Sequence, residues 1–297
     1  MNEQKKELFP YRYSIMDPTG NITALVESGV EIRRQPEAAG ELMRLHPEVE
    51  QVGFVCFHEE PGADIQGELR MAGGEFCGNA SMSAAALFAL HKEGCFGDRV
   101  RAAGTDLMKV LLRVSGAADP VAIKLRRDAE GFTGEVKMPP ALRIEEYTFE
   151  QEGTLGVLPL VRMEGISHIV IRPDSAFAAL ALQKERAEEA VRKWCAELET
   201  DGLGLMFLKG SGVAYEMMPL VYVPGSGTVF WEHSCASGSS AVGMYLAGLA
   251  NEPVSISLKE PGGSLTVNSD PVSGETSITG HVRLIEKYSP DEPGALR

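Results

Sequence analysis

Short runs rich in β-branched and aromatic residues, each closed by Gly, Pro or Asp, recur along this chain at 11–15, 22–26, 51–57 and 110–114. Such runs predict strands. Between them lie two helical stretches. Residues 36–45 open on Pro36, a residue suited to a first helical position, and residues 79–91 are rich in Ala and Leu. A turn at Met138-Pro139-Pro140 falls near the midpoint, and the same vocabulary follows it. Strands are predicted at 157–163, 168–171, 204–208, 218–223 and 254–258. Helices are predicted at 175–198, with charged residues facing out over 185–192, and at 237–250.

Each half therefore offers several strands and one central apolar helix, with too few helices for alternating βαβ units. The expected class is α+β, built as two similar domains rather than one doubly wound sheet. Residues 1–139 form the first and 140–281 the second; the length of 297 residues gives ample core for both.

The net charge of −14 disfavours nucleic acid or an anionic membrane surface as partner, since both need clustered Lys and Arg. The N-terminus is polar and lacks an apolar signal core, and no uninterrupted apolar run approaches the about 20 residues of a membrane span. Five cysteines, at 56, 77, 95, 195 and 235, show neither Cys-x-x-Cys nor disulfide-scaffold spacing. Reduced thiols in a cytoplasmic protein are the expectation. Cys56, Cys95 and Cys195 have apolar neighbours and read as buried small residues.

The other two differ. Cys77 sits in Gly73-Gly74-Glu75-Phe76-Cys77-Gly78-Asn79-Ala80-Ser81, and Cys235 in Glu232-His233-Ser234-Cys235-Ala236-Ser237-Gly238-Ser239. Each precedes a small, polar turn that leads into an apolar helix. A helix N-terminus offers unsatisfied N–H groups and a positive dipole end, which stabilise a thiolate and bind a carboxylate. Two such thiols, one per half, suggest a matched acid and base. One loop alone reads equally well as a helix start with a buried cysteine; the pair is harder to dismiss.

No rival chemistry is better supported. His233-x-Cys235 with Cys77 lacks zinc spacing, so no metal is assigned. Phosphate-loop and nucleophile-elbow motifs are absent, and no lysine lies in either loop to hold pyridoxal phosphate. Asp17-Pro18-Thr19-Gly20-Asn21 is a turn, Glu50-Gln51 reads alone as a surface pair, and His168 reads alone as a satisfied core histidine.

Together these segments resemble the cofactor-independent amino-acid racemases and epimerases of the diaminopimelate epimerase-like fold. They are more similar still to the histidine racemases of staphylopine-type metallophore biosynthesis. The resemblance rests on Pro18-Thr19-Gly20-Asn21, Glu50-Gln51-Val52-Gly53-Phe54, Gly74-Glu75-Phe76-Cys77-Gly78-Asn79-Ala80-Ser81 and Leu220-Val221-Tyr222-Val223-Pro224. Trp231-Glu232-His233-Ser234-Cys235-Ala236-Ser237-Gly238 and Pro261-Gly262-Gly263-Ser264 complete the series, in order over nearly the whole chain.

It implies two barrel-like sheets, each around a central helix, with the active site in the interdomain cleft and the C-terminal segment 282–297 returning to the first domain. It implies an isomerase without cofactor, in which Cys77 and Cys235 are the acid/base thiols. Asn21, Gln51, Gly78, Asn79, Glu232, Ser237 and Gly238 would contact the substrate's backbone groups, and His168 resembles the cleft histidine. Members are commonly dimers, so a homodimer is open to this chain.

Two departures bear on substrate. Met71 stands in the region where diaminopimelate epimerases carry an asparagine for the distal amino-carboxylate, and Glu232-His233 replaces their Glu-Arg. An unpaired buried carboxylate costs several kcal/mol, which argues against diaminopimelate. Glu50 would suit an imidazole. Histidine is the expected substrate, with its D-isomer supplying an opine-type metallophore pathway. A diaminopimelate epimerase or broad-specificity racemase remains the enzymatic alternative, and a thiol-based metal or redox sensor the non-enzymatic one.

Overall fold

The computed structural model describes residues 9–58, 64–102, 107–225 and 227–290, with 92–102 as backbone only. Two compact units divide the chain. One runs to Lys137 and resumes at Thr279; the other is Met138–Ile278.

The first unit holds β1 (Tyr13–Pro18), β2 (Thr23–Val26), α1 (Gln35–Leu45), β3 (Gln51–Phe57), β4 (Gly67–Met71) and α2 (Gly78–Ala102). β5 (Leu107–Val114), β6 (Val121–Arg127), β7 (Phe132–Met138) and most of β16 (Thr276–Tyr288) complete it. The eight strands run in that order around a ring, which β16 closes by pairing antiparallel with β1. Closure removes the sheet's free edges.

β2 is buried throughout, and β3 along 52–55, because both faces are covered. On the outer side Tyr13, Ile15, Val26, Val52 and Phe54 pack against Ala38, Ala39 and Leu42 of α1. On the inner side α2 threads the ring against β1 to β6. Room there is short: a Cβ on Gly53 would stand 2.7 Å from Leu69 Cδ1. A helix enclosed on all sides by a narrow barrel cannot be amphipathic and must be lean, which accounts for Ala80, Ser81, Ser83, Ala84, Ala85 and Ala86.

The second unit repeats the scheme. β8 (Arg143–Gln151), β9 (Thr154–Arg162), β10 (Ser167–Ile171), β11 (Leu203–Ser211), β12 (Ala214–Val223), β14 (Val254–Glu260) and β15 (Gly263–Ser269) follow in sheet order, with β13 (Thr228–Trp231) beside β12. α3 (Lys184–Leu198) packs Trp194, Val191 and Ala187 onto the outer face, while α4 (Ala236–Ala250) contacts β9, β10, β11, β14 and β15. In both units a strand, an outer helix and a parallel strand are followed by an antiparallel strand, a central helix and another parallel strand. Parallel neighbours need a crossover connection, so each helix is where topology requires one. Each cysteine loop opens the second crossover.

The predicted helix at 175–198 is shorter. Residues 175–183 make a turn and a 3₁₀ segment, Ala178–Leu182, and the α-helix starts at Lys184. Several strands among the described residues escaped the sequence reading, β4 and β6 among them. In Gly67–Met71 buried and exposed residues alternate, and in Val121–Arg127 Lys124, Arg126 and Arg127 point outward, so neither forms an apolar run. Cys56 is exposed, not buried; only Cys195 of the three structural cysteines is described as enclosed, and the Cys95 side chain lies outside the described residues. No described helix is long and apolar enough to cross a membrane.

Candidate active site

Cys77 and Cys235 each cap a helix with sulfur. The Cys77 Sγ accepts the Ala80 N–H at 3.4 Å, and the Cys77 carbonyl accepts the Ser81 N–H at 2.9 Å. In the second unit the Cys235 Sγ accepts the Gly238 N–H at 3.4 Å, and its carbonyl accepts the Ser239 N–H at 2.8 Å. The offsets of three and four residues are the same. A side chain that accepts the third N–H is a helix N-cap, here with sulfur in the place usually held by oxygen. Positive helix ends thus face both thiols.

Around Cys77 the polar residues form one connected line. The Cys77 S–H donates to Gln51 Oε1 at 3.1 Å. Gln51 Nε2 donates to Thr23 Oγ1 at 2.8 Å and to Asn21 Oδ1, and Asn21 Nδ2 donates to Glu50 Oε2 at 2.9 Å. The Asp17–Asn21 turn sets this up. Asp17 Oδ1 accepts the Gly20 N–H at 2.6 Å, Thr19 sits at φ 58° and Gly20 at φ 93°, and Arg283 of β16 pins the other Asp17 oxygen. Asn21 is buried, while Gln51, Glu50 and Cys77 remain partly open.

Cys235 is more enclosed, 5% exposed. Burial pushes its thiol well above the ordinary value, and the nearby Glu232 and Glu260 carboxyls push it further; Glu232 also accepts a hydrogen bond from it. Ser237 Oγ lies 3.6 Å from the sulfur. Glu260, at the end of β14, was not singled out from sequence. Its Oε2 accepts the Cys235 N–H and its Oε1 the Ser239 hydroxyl, both at 2.6 Å, which fixes the start of α4. Only the strand order brings residue 260 to residue 235, so no local signal marked it. Gly238 has no room for a side chain: a Cβ there would stand 2.1 Å from Met206 Sδ and 3.1 Å from the Cys235 sulfur.

The remaining candidates divide by place. Gly78 and Asn79 form the buried first turn of α2 beside Cys77, and Ser237 and Gly238 the matching turn of α4. Glu232 joins Cys235 through the bond already described, and His233 is exposed. His168 lies on β10 of the second unit, fully enclosed, and neither ring nitrogen has a hydrogen-bond partner among the described residues. The expectation of satisfied nitrogens is corrected accordingly. Its ring packs against Gly204, where a Cβ would stand 2.4 Å from Nδ1 and 2.7 Å from Met206 Cε. Met71 is also fully enclosed, its sulfur against Gly53.

A second element missed by sequence holds the Cys77 loop. Ser115 Oγ accepts the Met71 N–H at 2.9 Å and donates to the Glu75 carbonyl at 2.8 Å, and Gly116 lies against the Phe76 backbone. Among the described residues no group of three or more His, Cys, Asp and Glu side chains is disposed to hold one metal ion.

His168 and Glu260 give the second unit opposite pH responses. Burial lowers the His168 pKa from 6.5 to about 3. The unfolded chain then binds the extra proton first, so stability present above pH 6.5 is lost as pH falls toward 3. Burial raises the Glu260 pKa from 4.5 to about 8, so stability present below pH 4.5 is lost as pH rises toward 8. His168→Leu is expected to flatten the acid limb of the stability curve and Glu260→Gln the alkaline limb, measured by urea unfolding from pH 4 to 9. Limbs parallel to wild type in both variants would refute the assignment.

A family model described as the histidine racemase CntK N-terminal domain matches residues 11–287. The chain belongs to this family. Relatives named histidine racemase include one from Fusobacterium nucleatum, 30% identical over 78% of this chain and 79% of its own length. Another, from Staphylococcus aureus, is 28% identical over 96% of this chain and 97% of its own. Among solved structures, a hydroxyproline epimerase from Agrobacterium vitis with bound trans-4-hydroxy-L-proline superposes with a TM-score of 0.59, at 16% identity, covering 97% of this chain and 95% of that one. At that identity the likeness shows a shared fold. Histidine racemase family members are isomerases, and the matched sulfur caps lie within the region the family model covers.

Proposed function

We propose that the protein interconverts L- and D-histidine by inverting the α-carbon with two thiols and no pyridoxal phosphate. One cysteine, as thiolate, takes the α-proton. The opposite thiol gives its proton to the other face of the planar intermediate, so the two exchange protonation states with each turnover. The observation that carries this reading is the matched pair of sulfur N-caps, alike in offset and in their 3.4 Å N–H contact. Membership of the histidine racemase family supports the substrate, as does Glu50, a partly open carboxylate at the end of the Cys77 line and able to accept an imidazole N–H.

The rate problem lies in the α-proton, which is far less acidic than a thiol. Helix-end N–H groups aimed at the substrate carboxylate would stabilise the charge that develops there, and exclusion of water would strengthen them. The two thiols are dressed differently for the task. Cys235 donates to the Glu232 carboxylate, a charged acceptor that strengthens the thiol's hold on its proton; Cys77 donates to the neutral Gln51 amide oxygen. The resemblance of the sequence to staphylopine-type enzymes supports an opine-type metallophore as the destination of D-histidine.

Circular dichroism of L-histidine incubated with the purified protein, without added pyridoxal phosphate, tests the reading. The signal is expected to decay to zero, with α-deuterium incorporated in D₂O. Retained optical activity of histidine together with epimerisation of LL-diaminopimelate would overturn it.

A further inference from the structure

Gln51 offers the substrate no N–H. Both hydrogens of its Nε2 are committed within the protein, to Thr23 Oγ1 and to Asn21 Oδ1, and its Oε1 takes the Cys77 thiol proton. We infer that Gln51 is a positioning residue for Cys77, the middle member of a one-way hydrogen-bond line from Cys77 through Gln51 and Asn21 to Glu50 that holds the Cys77 proton on sulfur and aims it. The role rests on reading Cys77 as a proton-transfer thiol.

The direction of the line is fixed at its far end. The Glu50 carboxylate accepts only, so Asn21 must present its NH₂ there and its oxygen to Gln51. Gln51 must then present its NH₂ to Asn21, which leaves its oxygen for the thiol. Thr23 agrees: its hydroxyl hydrogen goes to the Asn21 main-chain carbonyl at 2.9 Å, so toward Gln51 it can only accept. Turning either amide over sets oxygen against oxygen.

The consequence is chemical. An oxygen pointed at sulfur favours the thiol and opposes the thiolate, against the pull of the Ala80 N–H from the helix end. Cys77 is thereby kept loaded as a proton donor. For it to act as base, Gln51 must turn its NH₂ to the sulfur, which requires Asn21 to turn as well and give up Glu50. A donor from the substrate arriving at Glu50 would release Asn21 and permit the reversal. Among the described residues, charged groups against the Cys77 loop include Glu75, two residues upstream, and Arg70 of β4, whose Nη2 stands 3.4 Å from where a Gly74 Cβ would lie. Both stay in place when Gln51 is changed.

The experiment is site-resolved alkylation by iodoacetamide, read by mass spectrometry across pH 6 to 10. Two quantities separate: the plateau rate at high pH reports access to the sulfur, and the midpoint reports the thiol's hold on its proton. In Gln51→Leu the fraction of Cys77 thiolate at pH 7 is expected to rise about 2- to 10-fold, the worth of one ordinary hydrogen bond. In the near-isosteric Gln51→Glu it is expected to fall, because a carboxylate accepts the thiol proton more strongly. Cys56, an exposed thiol, serves as internal reference and should keep its alkylation profile. An unmoved Cys77 midpoint in both variants overturns the inference, and a rise in KM for histidine with that midpoint unchanged makes Gln51 a substrate contact instead. Loss of the histidine reading is a separate event: absence of racemisation in the wild type leaves the alkylation result intact.

Discussion

Cys77→Ser and Cys235→Ser each lower histidine racemisation by about 10²- to 10⁴-fold or more, the range typical for loss of a positioned acid or base. A serine hydroxyl keeps the size and the cap but not the acidity, so the helix start survives while proton transfer does not. The sharper result is directional. If each thiol serves one face, each single variant retains α-hydrogen exchange with D₂O from one isomer of histidine and loses it from the other, in complementary fashion. Nuclear magnetic resonance of L- and D-histidine incubated separately with each variant measures this. Wild-type racemisation in either variant would end the two-thiol mechanism.

The next largest effect is expected at Gly116→Ala, a position remote in sequence from either cysteine. Gly116 sits at φ +72°, and a Cβ there would stand 2.3 Å from the Phe76 nitrogen and 2.8 Å from the Glu75 carbonyl carbon. Left-handed backbone costs a residue with a side chain about 1–2 kcal/mol, and overpacking typically about 1–3 kcal/mol more. Here the obstacle is backbone, which cannot swing aside like a flexible side chain. The segment that must shift runs straight into Cys77. Because a misplacement of about 1 Å at a reacting group can cost about 10²-fold, kcat should fall by about 10- to 100-fold along with the loss of stability. Gly153→Ala is the control. It has φ +81° but nothing within 4 Å of its Cβ position, so it should show the conformational cost alone, with kcat unchanged. Thermal unfolding and steady-state racemisation of both variants decide the matter; equal effects would show that the Phe76 contact is immaterial.

Much of the fold was legible because the barrels impose their own composition. The ring around α2 favours small residues, and the Ala- and Leu-rich stretch from 79 onward was legible as a central apolar helix. β2 and the covered stretch 52–55 of β3 gave largely apolar runs, whereas β4 and β6 did not. A strand with one open face carries charge at every second position, and its signal is diluted in any window that averages over it. The stretch 175–183 is apolar enough to look helical, yet it folds as turn and 3₁₀ because Phe177 and Leu180 join the core of the outer face.

The site divides in the same way. Sequence by itself determined the two cysteine loops, because the requirements for a helix N-cap and the turn that leads into it are local: a small residue, an acceptor, then three free N–H groups within four positions. It also named Asn21, Glu50, Gln51 and Glu232, but as substrate contacts. Tertiary structure alone decided what those side chains do to the thiols and to one another. Asn21, Gln51 and Cys77 are joined across β1–β2, β3 and α2; Glu260 reaches Cys235 from the end of β14; Ser115 and Gly116 clamp the loop before Cys77 from the end of β5. These partnerships depend on which strand lies beside which and in what register. That is a property of the closed sheet as a whole, and no window along the chain contains it.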